Sequence, residues 1–219
     1  MVKKQAQFPA NLEIDYPGAQ SRLKTLFRGI LVLPILFILA LISGGGSGSG
    51  NESAMNESNQ QMLQSSGGGI AFGLFAATAL MIVFRQVYPL WWFTFNLELK
   101  RFTTRIGAYI LLLTDKYPST VDAQSVHLDV QYPDVKKDLN QLLPLVKWIL
   151  AIPHFVVLIV LAFGILGATV IAWFAILITG KYPKELFEFV VGYQRWSLRV
   201  SAYAILLTTD QYPPFSLKK

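Results

Sequence analysis

The sequence predicts a mainly α-helical membrane protein made of two tandem parallel repeats. Each repeat is expected to be a short β-strand, a transmembrane or re-entrant helical hairpin and an interfacial amphipathic helix. Three observations predict this. Hydrophobic residues make up 53% of the chain against 15% charged, and the mean hydropathy is +0.44, away from the balance of soluble domains. All nineteen Lys and Arg lie outside two windows, 29–84 and 148–180, which hold the strongest apolar runs. The chain also repeats itself: "ILLLTDKYP" ends at Pro118 and "AILLTTDQYP" at Pro213, and six of nine tyrosines immediately precede a proline.

After a tail over 1–11, the first repeat occupies 12–118. Leu12, Ile14 and Tyr16 alternate with Glu13 and Asp15, and period-two alternation marks a half-buried strand. Membrane helices follow at about 25–43 and about 67–85, each near the ~20 residues that span a bilayer. The segment between them, 44–66, is rich in Gly, Ser and Asn and lacks the apolar content to fold on its own. It carries no Lys or Arg while bases flank both helices, so the positive-inside rule puts it outside and the flanks in the cytoplasm. A cleaved signal peptide is disfavoured, because the stretch before the apolar run is nearly thirty residues long and "ALISGG" is a poor cleavage site. Residues about 90–114 then place Trp92, Phe95, Leu99, Phe102, Ile106 and Tyr109 at helical spacings.

A linker over 119–127 leads to the second repeat, 128–213, and a tail over 214–219. Leu128, Val130 and Tyr132 alternate with Asp129 and Gln131. The apolar window here is long for one span and tight for two. A hairpin over about 144–181, turning near Gly164 and Gly167, keeps all flanking bases on one side, so it is preferred to a single tilted helix. The helix at about 184–208 matches the one at about 90–114. Tyr88, Phe95, Arg101, Arg105, Ala108 and Tyr109 fall onto Tyr182, Phe189, Arg195, Arg199, Ala202 and Tyr203 at one constant offset of 94. Even crossings put both ends of each repeat on one side, so the repeats are parallel.

The words "LVKWILAIPHFVVL" and "AWFAILITGKYPKELFEFVVGYQRWSLRVSAYAILLTTDQYPPFSL" in the second repeat resemble a bacterial membrane-protein family known as domain of unknown function 4389. The resemblance runs over 128–217, and the first repeat looks like a degenerate second copy, with Ile35 where His154 stands. The resemblance implies a bacterial membrane protein and no chemistry; taken with the charge placement, the expected location is the bacterial inner membrane, multi-pass, with both termini cytoplasmic.

Enzyme motifs are missing. There is no G-x-x-x-x-G-K-[ST], G-x-S-x-G or H-E-x-x-H, and no cysteine, so no catalytic residue, metal site or cofactor is expected. The residues expected to bind lipid or a partner are Arg101, Arg105, Arg195 and Arg199 with Trp92, Trp196, Tyr109 and Tyr203, because Arg and aromatic margins suit an interfacial helix. The alternative is that these helices pack on the protein's own core. His154 is the intramembrane polar candidate, expected to serve backbone groups freed by Pro153. Small residues at Gly164, Ala168 and Ala172 permit close helix approach. The function expected is a non-enzymatic accessory or scaffolding subunit that docks a partner membrane protein, or a second copy of itself, and anionic lipid, with no nucleic acid. A small transporter or lipid-handling protein using the region around His154 is the alternative.

Overall fold

The computed structural model describes residues 8–43, 69–119 and 124–218. The segment read as an outer loop, 44–66, and most of the tail and linker fall outside the described residues. The elements in order are β1 (Ala10–Ile14), α1 (Arg22–Ser43), α2 (Gly69–Leu80) ending in a π-helical turn (Met81–Arg85), α3 (Leu90–Ile110), β2 (Val126–Val130), α4 (Val135–Asp138), α5 (Pro144–Leu150), α6 (Ile152–Thr179) and α7 (Lys184–Ala204). Among the described residues the fold is mainly helical, with one two-stranded sheet.

That sheet is made between the halves of the chain. β1 pairs antiparallel with β2, and Leu12 sits opposite Leu128 at the centre of the register. Alternation puts Ala10, Leu12, Ile14, Val126, Leu128 and Val130 inward. Glu13, Asp15, His127 and Asp129 face outward, as period two requires.

α3 and α7 lie beneath the sheet and antiparallel to each other. Lys100 on α3 donates to Ser201 on α7 at 3.0 Å, and Gly107 lies against Gln194. The packing on α7 uses three faces. Arg195 reaches up to the Leu12 carbonyl. Gln194 and Ser201 meet α3. Tyr193, Trp196 and Val200 pack on α6. At 3.6 residues per turn these faces are roughly a third of a turn apart, so sheet and α6 lie on opposite sides of the α3–α7 layer.

α6 is a single continuous helix of 28 residues, which corrects the hairpin expected over 144–181. Gly164 and Gly167 are not a turn. Gly164 is helical and faces the Phe189 ring, where a methyl group would make an ordinary contact at 3.7 Å. Ala168 and Ala172 are buried on the same side, within the chain's own core as expected. Pro153 is in the first turn, where no N–H partner is needed.

The first half also departs from a hairpin. Val32 and Ile35 of α1 pack on Ile106 and Tyr109 near the end of α3, whereas Thr78 of α2 accepts from Trp92 Nε1 near its start, at 2.8 Å. Both segments therefore run antiparallel to α3, over successive stretches of it, as α6 runs along α7. α1 also meets α6, where Trp173 Nε1 donates to the Thr25 carbonyl at 3.2 Å.

After α3 and α7 the chain turns through Leu112 and Leu207, at φ 63° and 56°. Left-handed leucine costs about 1–3 kcal/mol. A similar wrap is made both times, with Leu113 N–H donating to the Ala108 carbonyl five residues back and Thr208 N–H to the Ala202 carbonyl six residues back, and the buried leucine side chains offset the strain.

Candidate functional site

The polar groups in the interior come as matched sets. Tyr16 donates its hydroxyl to the Tyr182 carbonyl at 2.5 Å, and Tyr132 donates to the Tyr88 carbonyl at 2.5 Å. Each tyrosine of a strand-end Tyr-Pro thus binds the Tyr-Pro that opens the other half's amphipathic helix. Proline, having no N–H, ends the element and sets the following helix's first φ. In these four places Tyr-Pro is structural and joins the halves to each other.

The second set is ionic. Arg28 on α1 pairs with Asp115 at 2.5 Å, donates to the Tyr109 carbonyl at 2.9 Å and lies 4.6 Å from the Tyr109 ring centroid. Lys147 on α5 pairs with Asp210 at 2.7 Å, donates to the Thr209 carbonyl at 2.7 Å and lies 5.3 Å from the Tyr203 ring. Both bases are buried. Burial lowers the Lys147 pKa, while its hydrogen bond and charge pairing with Asp210 act the other way. Ionic groups removed from water need a counter-charge close by, and each of these bases has its aspartate.

His154 occupies an aromatic box. It is fully buried, Phe215 stacks on its ring at 3.9 Å between centroids, Tyr212 lies at 4.8 Å, and Trp196 Nε1 donates to Nδ1 at 3.2 Å. An imidazole that accepts at Nδ1 is in the tautomer carrying its proton at Nε2, and Nε2 has no partner. This replaces the backbone role expected beside Pro153: the histidine serves as acceptor for an indole.

The other residues singled out in the sequence turn inward. Arg101 donates to the Leu128 carbonyl at 2.9 Å and pairs with Glu98 and Asp129. Arg105 donates to the Ser119 carbonyl, Arg195 to that of Leu12 and Arg199 to that of Lys218. These guanidinium groups hold strands and tail to α3 and α7, which corrects their expected display to headgroups. Trp196, Tyr109 and Tyr203 are buried, and Trp92 is half-buried. α3 and α7 are thus the central layer, and these residues are used in packing within the chain. A polar stripe between apolar ones is equally suited to a headgroup region and to the carbonyl edge of a strand, and here the strand supplies the acceptors.

Exposed apolar side chains are most numerous on α1, α5 and α6, with others at Phe84 after α2 and at Leu90, Trp91 and Phe95 at the start of α3. Phe37, Phe163 and Ile178 are 66%, 72% and 73% exposed. α6 is long and apolar enough to cross a membrane, and only 22% of its most apolar window is buried in the protein. Sequence reasoning found these segments by hydropathy, but it assigned the aromatic margin to Trp92 and Trp196 when the exposed tryptophans are Trp91 and Trp148.

These features define a mainly helical, membrane-associated protein whose buried polar groups hold two halves together. Residues 144–216 match a family described as Domain of unknown function (DUF4389). The match starts at α5, ends just beyond Phe215 and contains the whole His154 box and the Lys147–Asp210 pair. No curated protein and no solved structure matches the chain. Among the described residues, no three His, Cys, Asp or Glu are grouped to hold a metal ion.

Proposed function

We propose that the chain is a non-enzymatic accessory subunit of the bacterial inner membrane, built from two tandem copies of one unit, that docks a partner membrane protein and anionic lipid. The observation that carries this reading is the uncharged, outward apolar face of α6, too extensive for a free water-facing surface. The tandem reading is supported by the matched contacts: Tyr16 with Tyr182 and Tyr132 with Tyr88, Arg28 with Asp115 and Lys147 with Asp210, and Arg101 on Leu128 and Arg195 on Leu12. Termini on one side of the membrane are supported by β1 and the C-terminal tail both packing on α7. Multiple crossings rested on two hairpins, and with those replaced the even-crossing argument loses its footing.

Purification from native membranes in mild detergent tests the subunit reading. A stoichiometric complex with another membrane protein is the expected outcome. A lone homo-oligomer that retains lipid would instead favour lipid handling or transport, the reading for which the unpartnered Nε2 of His154 speaks. That second reading is weakened by the enclosure of the ring between Trp196 and Phe215.

A further inference from the structure

Resting on the membrane reading above, we infer that α1, α2 and α6 lie flat within one leaflet of a bilayer, with the sheet in water above them, so that α6 does not cross. The order of the layers carries this. α6 runs antiparallel along the whole of α7: Leu158 packs with Trp196 and Val200, Gly164 lies on Phe189, and the chain leaves α6 through Gly180 and Lys181 into Tyr182 at the start of α7. Above the middle of α7, where Arg195 holds the Leu12 carbonyl, stands the sheet. Its outward face carries Glu13, Asp15, His127 and Asp129, and the Asp129 side chain is 83% exposed. Were α6 to stand along the bilayer normal, this acidic patch would face hydrocarbon at mid-depth, where ionised side chains are rare and costly.

Laid in the membrane plane, the same molecule meets no such conflict. The side of α6 away from α7 is apolar from Ile152 through Val156, Phe163 and Ile171 to Ile178. Neither end of that face carries charge. α6 has no charged face of its own; the polar side that an in-plane segment needs is supplied by the α3–α7 layer and the sheet above it. Bases stand where in-plane helices need them. Gln20 N–H donates to the Gly180 carbonyl, bringing the start of α1 with exposed Arg22 and Lys24 to the end of α6 with exposed Lys181. Exposed Arg85 closes the π turn after α2. Trp91 and Trp148, both more than half exposed, are amphipathic rings suited to the headgroup level. The occupant of this face is a lipid leaflet.

The chain lacks cysteine, so single spin labels can be placed at Val156→Cys, Phe163→Cys, Ile178→Cys and Asp129→Cys in the full protein. The labelled proteins would be reconstituted in vesicles of phosphatidylethanolamine and phosphatidylglycerol, with circular dichroism confirming helix content. Depths come from the ratio of oxygen to nickel-chelate accessibility. The three α6 positions are expected at one shallow depth, within roughly 5 Å of each other, in the acyl region just below the headgroups. The Asp129 position is expected in water. A crossing α6, about 42 Å long at 1.5 Å per residue, would give a V-shaped profile with Phe163 deeper than Val156 and Ile178 by about 10–15 Å, and that profile would overturn the inference. Water accessibility at all four positions, with no protein floating with the vesicles, would overturn the membrane reading as well. Absence of a partner in native membranes, with the flat profile intact, would sink only the subunit reading.

Discussion

In the second half of the molecule His154 accepts a hydrogen bond from Trp196. At the matching places the first half has Ile35 and Phe102, packed beside Val32, Ile106 and Tyr109. A buried polar pair and an apolar pair thus occupy one position in the same packing. The comparison extends outward. Arg28 answers Lys147, each with its aspartate. Lys100 answers Gln194, and Glu98 answers Gly192. α6 is unbroken, whereas α1 and α2 cover the same line in two pieces. What is kept is the tyrosine clasps and arginine-to-strand bonds that join the halves, together with one buried ion pair inside each. At the His154–Trp196 position both members of the pair change together, because one partner left alone in the interior is the expensive state.

The largest effect is expected at the ion pairs. Replacing Lys147 by Met leaves Asp210 without its buried partner and should lower stability by about 3–5 kcal/mol, read as loss of thermal stability in detergent. Arg28→Met should cost a similar amount if the pairs are equivalent, and a loss confined to one pair would break the comparison.

Gly192→Ala comes next. A methyl group there would lie 2.8 Å from the Leu217 carbonyl oxygen, and because that neighbour is backbone, the tail must move. A cost of about 1–3 kcal/mol, typical of overpacking, should appear with faster proteolysis of the last residues. The first half, with Glu98 at this place, has no tail to displace.

The aromatic box gives the sharpest test. Trp196→Phe alone strands Nδ1 of His154 and should cost about 1–3 kcal/mol. His154→Ile together with Trp196→Phe recreates the first-half pair and should recover most of it. A double variant as unstable as the sum of the singles would show that the two sites are not interchangeable.

The smallest effect concerns pH. Burial lowers the Lys100 ammonium to about 8, below its unfolded value of about 10.4. Between these values the unfolded chain binds more protons, so stability should rise as pH goes from 8 towards 10. Lys100→Gln, which makes the first half like the second, should flatten that rise in thermal melts.

Hydropathy and periodicity located the elements well. Helices expected at about 25–43, 67–85, 90–114 and 184–208 correspond to α1, α2 with its π turn, α3 and α7, and the strands begin within two residues of their expected positions. The path between elements was not legible. Glycine at 164 and 167 is compatible with a turn and with a helix interior, and here the helix runs unbroken from Ile152 to Thr179. The inward turn of Arg101 and Arg195 was hidden for a related reason: a polar stripe shows that acceptors lie nearby without showing whether they are phosphates or the carbonyls of Leu128 and Leu12. His154 was singled out for its type and surroundings, but its partner stands 42 positions away, and nothing local connects them.

The pairing of Leu12 with Leu128 means that neither half owns a sheet. Each contributes one lone strand, and a solitary strand presents unpaired amides and carbonyls along both edges. A chain cut between α3 and β2 would yield two fragments, each with sticky edges and half of every Tyr-Pro clasp. Co-expressed, they should recombine. Expressed singly, the fragment from β2 onward has one ready substitute for its missing partner, another copy of itself, since Leu128 already sits where a two-fold axis would pass.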